Sequence, residues 1–221
     1  LLMDGMPELV LALNDDLNDE PNIIALPLPD TGTPSTLWEV TLDKGTHASD
    51  PAWTVIDAVS SAVLLTSIDE TNGNMWVWRI DSSSGQIQYD ENLGNIDGDT
   101  NSPHVRLPGP IVTQLDSDPA PEMVVTIPTD VDQSGTSDGA EFVGLEIVDA
   151  SEIFSFSASN GYADAPPALI DTDSNGITDR ICWNTWYRDG SSWHGVVGCH
   201  DYNEMSQSIQ QRLQYFHIAM R

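Results

Sequence analysis

Basic residues are nearly missing from this chain. Seven lysines and arginines stand against 35 acids, Lys44 is the only lysine, and the net charge is −28. A surface of that sign repels the phosphates of nucleic acid and of anionic membrane, which excludes both as partners. It suits cation binding, high-salt solubility, or both. Long apolar runs are missing too. None approaches the roughly 18 residues of a membrane span, so direct membrane insertion is not expected. There is no basic-then-apolar leader and the first residue is Leu rather than Met, so the expectation is a processed or partial piece of something longer. Helical patterning is confined to Asn203–Arg212, which reads as a turn of helix or a loop. With 221 residues and 39% hydrophobic content the chain can still bury one large domain or a repeat array.

Cysteine is scarce, with Cys182 and Cys199 alone. The stretch CWNTWYRDGSSWHGVVGC alternates about a turn at Asp189-Gly190-Ser191-Ser192 and reads as a β-hairpin. Folding it there pairs 188 with 193 and, in the same register, 182 with 199. Cysteines so opposed reach disulfide geometry, which implies an oxidising compartment. Two buried free thiols are the alternative. A zinc site drawing on His194 or His200 is a third reading. Cys199 and His200 are adjacent on a strand, however, so they point to opposite faces and serve one metal poorly.

What the chain does have is a repeat. DGMPELVLAL from Asp4, DSDPAPEMVV from Asp116 and DTDSNGITDRICW from Asp171 each run from acids, through one carboxylate, into an apolar strand. Those carboxylates are Glu8, Glu122 and Asp179, separated by 114 and then 57 residues. A degenerate copy, PAWTVIDAVSSAVLLTS, keeps Asp57 and puts Val63 in place of the acid. Each unit reads as four strands. A proline-led entry (DPAWTVID, PGPIVTQLD, APPALIDTD) leads to an acidic loop and a longer apolar strand. A third strand follows (NMWVWRID, EFVGLEIVD, WHGVVGCHDY), and an aromatic fourth closes the unit (TLWEVTLD, QIQYDENL, EIFSFSAS, RLQYFHIA). Alternation, β-branched and aromatic enrichment, and Gly/Asp/Asn/Ser turns support strands throughout.

The expected fold is therefore an all-β β-propeller of four-stranded blades. Four blades are visible, at about 1–50, 51–107, 108–165 and 166–221, as part of a larger propeller. A β-sandwich with coincidental spacing is the competing architecture. The first unit begins at its second strand, so its inner strand is expected from further repeats of the same protein or from another chain or segment.

The acidic loops carry the chemistry. Calcium takes six to eight oxygen ligands in flexible geometry, and a sharply turning loop can present alternate side chains to one point. DTDSNGITD offers Asp171, Asp173 and Asn175 at positions 1, 3 and 5. Gly176 permits the turn, Ile177 offers its carbonyl, and Asp179 closes the shell as the long strand begins. DVDQSGTSD repeats that spacing with Asp130, Asp132, Ser134, Thr136 and Asp138, between a second and a third strand. DSDPAPE is two residues shorter, so Asp116, Asp118 and Glu122 make a poorer shell that needs a ligand from elsewhere. DGMPE keeps half a loop, Asp4 and Glu8, and NIDGDTN (Asn95 to Asn101) reads as a turn. Each loop also has the plain reading of a solvated turn without metal.

Repeats of this order, with a Pro-led strand, an Asp-rich loop and a "PE" plus apolar strand, resemble the FG-GAP/VCBS family of calcium-bound propeller repeats, also found in the integrin α-subunit head. The resemblance spans nearly the whole chain, but only the loop at 171–179 is complete. GMPELV and APEMVV are variants, the second unit has lost its acids, and the FG and GAP tripeptides are absent. The resemblance implies an extracellular or cell-surface propeller, calcium between the first two strands of a blade, and ligand binding through the opposite face.

Catalytic patterns are poor. GTSDG at 135–139 fits the hydrolase G-x-S-x-G spacing, but it lies in an acidic loop with no helix behind it. His47, His104, His194, His200 and His217 are scattered without a recurrent partner. Trp76 with Trp78, and Trp183, Trp186 and Trp193, could stack on glycans or fill the space between blades. The expected function is a non-catalytic, calcium-stabilised surface propeller for adhesion, ligand binding or assembly, with a protein or glycan ligand. The alternatives are a subunit of an extracellular filament or surface layer, and a non-catalytic part of a polysaccharide-degrading enzyme.

Overall fold

A computed structural model describes residues 8–14, 20–28, 32–33, 35–57, 59–69, 72–96, 107–129, 139–158, 161, 163, 165–189, 192–203, 208–212 and 218–220. They form four antiparallel sheets in chain order, and there is no helix among the described residues. The first sheet holds β1 (Glu8–Leu13), β2 (Asn22–Pro27) and β3 (Trp38–Thr41). In the second, β4 (His47–Ala48) and β5 (Ala52–Val55) both pair with β6 (Ser61–Asp69), followed by β7 (Asn74–Asp81) and β8 (Ile87–Asn95). The third runs β9 (Ile111–Thr113), β10 (Glu122–Thr129), β11 (Gly139–Glu146) and β12 (Glu152–Ala158). The fourth is β13 (Ala168–Ile170), β14 (Arg180–Asp189) and β15 (Ser192–Asn203), with β16 (Ser208–Arg212) and β17 (Ile218–Met220) both on β15.

Burial follows position in each sheet. The second strands of the middle sheets, SAVLLTSID and EMVVTIPT, are buried on both faces almost throughout, as their continuous apolar runs require. The outer strands β8 and β12 alternate or face solvent. Successive sheets then share cores. Ile23, Trp38 and Leu42 meet Val63, Leu65 and Trp78. Leu64, Met75 and Val77 meet Met123, Val125 and Val143. Phe142 and Ala158 meet Trp183 and Val196, while Val124 and Phe154 meet Ile181 and Tyr202. Each fully buried side chain of this size contributes about 1.5–3 kcal/mol from its removal from water.

Tryptophan fills these seams. Trp78 is fully buried and donates from Nε1 to Ser67 Oγ at 2.7 Å, and Trp38 donates from Nε1 to the Ser82 carbonyl at 2.8 Å. Trp183 lies across from Gly198 on the neighbouring strand, where an added Cβ would come within 2.4 Å of the indole. Gly144 leaves the same room for the Phe154 ring.

Two corrections to the sequence reading arise here. The stretch read as weakly helical at 203–212 contains a strand, Ser208–Arg212, paired antiparallel with β15 through Tyr202↔Ile209. Of the closing RLQYFHIA stretch, Arg212 ends β16 and Ile218 and Ala219 lie in β17, both strands pairing with β15, while residues 213–217 lie outside the described residues. Val63 does not stand in for the acid either: it faces the first sheet. Ala62 takes the place that Glu122 has in the third sheet, each lying opposite a threonine of the entry strand.

The proline-led entries converge. The Asp50–Pro51, Pro108–Pro110 and Ala165–Pro166 turns line one cavity of about 270 Å³. The Gly109 backbone passes so close that an added Cβ would sit 2.5 Å from the Asp50 carbonyl. Three equivalent points of three successive sheets thus meet at one place.

The cysteines pair as the hairpin register requires. Cys182↔Cys199 and Arg188↔Trp193 are opposed on β14 and β15, and Cys182 and Cys199 form a disulfide with Cα atoms 4.1 Å apart. Neither thiol is left for zinc or for a free buried role. No helix among the described residues is long and apolar enough to cross a membrane.

Candidate metal centres

Two groups of three carboxylates lie where an entry strand turns into a second strand. Asp116, Asp118 and Glu122 form one, and Asp171, Asp173 and Asp179 the other. In each group one oxygen from every residue lies within 4.8 Å of the others. Such an arrangement of hard oxygens can hold a metal ion.

The 171–179 loop builds its shape from its own carboxylates. Asp171 Oδ1 accepts from the Ser174 N–H at 2.6 Å and the Asn175 N–H at 3.2 Å, and its Oδ2 from the Gly176 N–H at 2.7 Å. Those bonds, that of Gly176 foremost, hold the Asp171 carboxyl below its ordinary pKa. Ser174 and Gly176 take left-handed backbone (φ 64° and 90°), which lets the loop turn back so tightly. Asn175 Oδ1 accepts from the Ile177 N–H at 2.7 Å, and Asn175 itself donates to Asp173. Asp179 accepts from Thr172 through both its N–H and its hydroxyl. Its backbone is tied into the sheet on both sides: its N–H donates to Ile170 and its carbonyl accepts from Tyr202. The strand itself starts one residue later, at Arg180, which lies opposite Ile170 as Glu122 lies opposite Thr113.

The 116–122 loop is shorter and reaches deeper. Asp116 accepts from the Asp118 N–H at 2.8 Å, and Asp118 accepts from the Ala120 N–H at 2.7 Å. Gln114 donates to the carbonyls of Asp118 and Ala120 and so clips the loop from below. Glu122 has no exposed surface. Its Oε2 accepts from the Leu115 N–H, and its buried Oε1 has no hydrogen-bond partner among the described residues. Burial first, and then Asp116, Glu146 and Asp118, push its pKa up to about 7 against the pull of Leu115. A carboxylate this enclosed costs free energy unless a positive charge reaches it.

Glu146 was not legible as a site residue. It lies directly opposite Glu122 across the β10–β11 ladder, and burial together with Asp116 and Asp118 raises its pKa too. It adds a fourth carboxylate beside the short loop, outside the three whose oxygens lie within 4.8 Å of one another. Only the antiparallel register reveals it, because 24 residues and a hairpin separate the two positions.

The two loops share a wall. Thr178 is buried at the end of the second loop, and its N–H donates to the Gln114 carbonyl at 2.7 Å. Thr113 and Thr178 meet hydroxyl to hydroxyl.

The other sites read from the sequence part company. Asp130, Asp132, Ser134, Thr136 and Asp138 lie outside the described residues, as do most of GTSDG, Asp4 and residues 97–101 of NIDGDTN. Asp57 caps its own turn, accepting from the Val59 and Ser60 N–H groups, and it belongs to neither group of three carboxylates. His200 is buried and stacks on Phe156 with ring centroids 4.0 Å apart, and burial lowers its pKa. No family model matches the chain, and no curated protein matches it in sequence.

Proposed function

We propose that this chain is a calcium-braced β-propeller segment of the extracellular or cell-surface type, working by adhesion, ligand binding or assembly rather than by catalysis. The observation that carries the cation reading is Glu122, a fully buried carboxylate that lies beside Asp116, Asp118 and Glu146 and has, among the described residues, no partner for one oxygen and no cationic side chain against it. A divalent ion supplies the missing charge. The oxygen-only donor sets, with Asp171, Asp173 and Asp179 at the second site, favour calcium over softer metals. Asn175 and the Ile177 carbonyl complete that shell.

The convergence of three proline-led turns on one cavity supports a radial arrangement of the sheets, with entry strands toward an axis and β8 and β12 outside. The disulfide supports an oxidising setting. In this reading the ions are structural: they hold the corner between entry strand and second strand so that successive blades keep their pitch. Isothermal titration of chelator-stripped protein with calcium tests it. Heat of binding that is lost stepwise in Asp171→Asn and Glu122→Gln supports the reading. Identical traces for all three proteins sink it.

A further inference from the structure

We propose that the seam between the third and fourth sheets is an acid-operated joint, in which a proton on His200 loosens the packing of β12 against β14 and β15 while the other seams stay closed. The joint depends on how the sheets pack and not on the cations.

The three seams treat polar groups differently. Between the first and second sheets Trp38 and Trp78 both donate from Nε1, to the Ser82 carbonyl and to Ser67 Oγ. Between the second and third, Thr66 donates to the Pro108 carbonyl and Tyr89 to that of Ile147. Arg79 donates from Nη1 to the Ile147 and Val148 carbonyls, and only its Nε is left over. Between the third and fourth sheets the pattern reverses. Thr126 lies opposite Phe142 and Thr185 opposite Val196, so both face this seam. Their hydroxyls, Trp183 Nε1 and both ring nitrogens of His200 are buried with no hydrogen-bond partner among the described residues. None of the four residues is more than 6% exposed.

His200 is the member that titrates. Its ring stacks on Phe156 of β12 with centroids 4.0 Å apart and lies 6.3 Å from the Trp183 ring. Ile181 and Gln211 lie opposite it on the two flanking strands, and neither is charged. Asp201 is adjacent in sequence and so points to the other face, where Arg180 holds it at 2.8 Å. It is the charge that acts on the imidazole. Arg212 lies opposite Cys199, one rung away. Along the face of His200 stand Tyr202, tilted against Phe154, and His194, stacked on Tyr187 at 5.0 Å. Glu122 and Glu146 lie at the corner end of the third sheet, opposite each other.

A neutral imidazole has one donor and one acceptor, whereas an imidazolium has two donors and a charge. The Phe156 face attracts a cation but offers nothing to either N–H. Water can satisfy both, and it enters when the sheets part. Burial accordingly holds the His200 pKa below its ordinary value of 6.5. The open seam binds the proton more readily than the closed one, so its share grows as pH falls through 6.5. The Cys182–Cys199 bond keeps the β14–β15 hairpin together, so the sheets part without the fourth unfolding.

Trp183 supplies the probe, because its buried indole N–H exchanges with solvent only when water reaches the seam. Exchange of the indole protons of the intact chain is followed by NMR at about pH 7.5 and about pH 5.5, as protection relative to free indole. Trp78, in the seam between the first and second sheets, is the internal control. The expected result is a roughly fivefold loss of protection at Trp183 in acid with Trp78 unchanged. His200→Phe, which keeps a stacking ring without the proton, should abolish that loss, and His194→Gln should retain it. Unchanged protection at Trp183 overturns the proposal. An equal loss at Trp78 overturns it too, because the chain then opens as a whole. A loss that persists in His200→Phe, or vanishes in His194→Gln, assigns the effect to another group and overturns the role of His200. Should His200→Phe not fold, the parent and His194→Gln still decide. None of these outcomes touches the calcium titration, so the two readings fail separately.

Discussion

The hydroxyls of Thr113 and Thr178 lie 2.5 Å apart, joining the entry strand of the third sheet to the acidic loop of the fourth. Beside them the Thr178 N–H donates to the Gln114 carbonyl, and the Gln114 side chain clips the 116–122 loop. The two carboxylate clusters are therefore neighbours through one polar wall. Replacing Thr178 by Val leaves the Thr113 hydroxyl without this partner and should cost about 1–3 kcal/mol. The double variant Thr113→Val/Thr178→Val should cost less than the sum of the singles, as chemical denaturation of all four proteins would show.

Glu122→Gln separates the metal role from packing. In chelator the variant should be as stable as the parent or more so, because a buried carboxylate without a counter-charge has been removed. In calcium it should lose the part of the ion-dependent gain that comes from the 116–122 loop. Paired melting curves with and without chelator give both numbers from one preparation.

The pH dependence of the chelated protein follows from the same group. The folded pKa of Glu122, about 7, lies above the ordinary glutamate value of 4.5. Between those values the folded chain keeps a proton that the unfolded chain has released. Stability from this group is therefore full below about 4.5 and is lost as pH rises toward 7. Glu122→Gln should flatten that slope in a series of denaturant midpoints.

His200 works in the other direction. Burial holds its pKa below 6.5, so as pH falls through 6.5 the unfolded chain takes up a proton first and the folded state loses stability. An NMR titration should show the His200 imidazole less than half protonated at pH 6.5. A half-titrated ring at that pH would contradict the buried stacking on Phe156.

Reduction of the disulfide tests the fourth sheet. The bond closes a stretch with sequence separation 17, for which chain entropy predicts a loss of about 3 kcal/mol. For a chain of this size that is a drop of roughly 6–12 °C in Tm. Melting before and after reduction checks it.

Strand order was readable from the sequence because alternation, proline-led entries and turn residues agree along SAVLLTSID, EMVVTIPT and the hairpin at 182–199. Register was less so. Counting from acid to acid placed Val63 and Asp179 at the Glu122 position, whereas pairing with β5 and β13 puts Ala62 and Arg180 there. Loop length differs between units, and the face of a residue depends on its ladder partner rather than on its spacing. SIQQR at 208–212 is polar and helix-tolerant in isolation, yet it extends because β15 offers it an edge. Glu146 was invisible for the same reason, since its nearness to Glu122 exists only across the ladder.

Calorimetric melting of the intact chain in chelator and in millimolar calcium bears most directly on the whole account. An ion held at 100 times its Kd adds about 2.7 kcal/mol to the native state. The melting temperature should then rise by roughly 5–10 °C. That rise should shrink when Asp171 is replaced by Asn. Superimposable curves with and without calcium would show that the acidic corners stand unaided, and the cation-braced reading would be wrong.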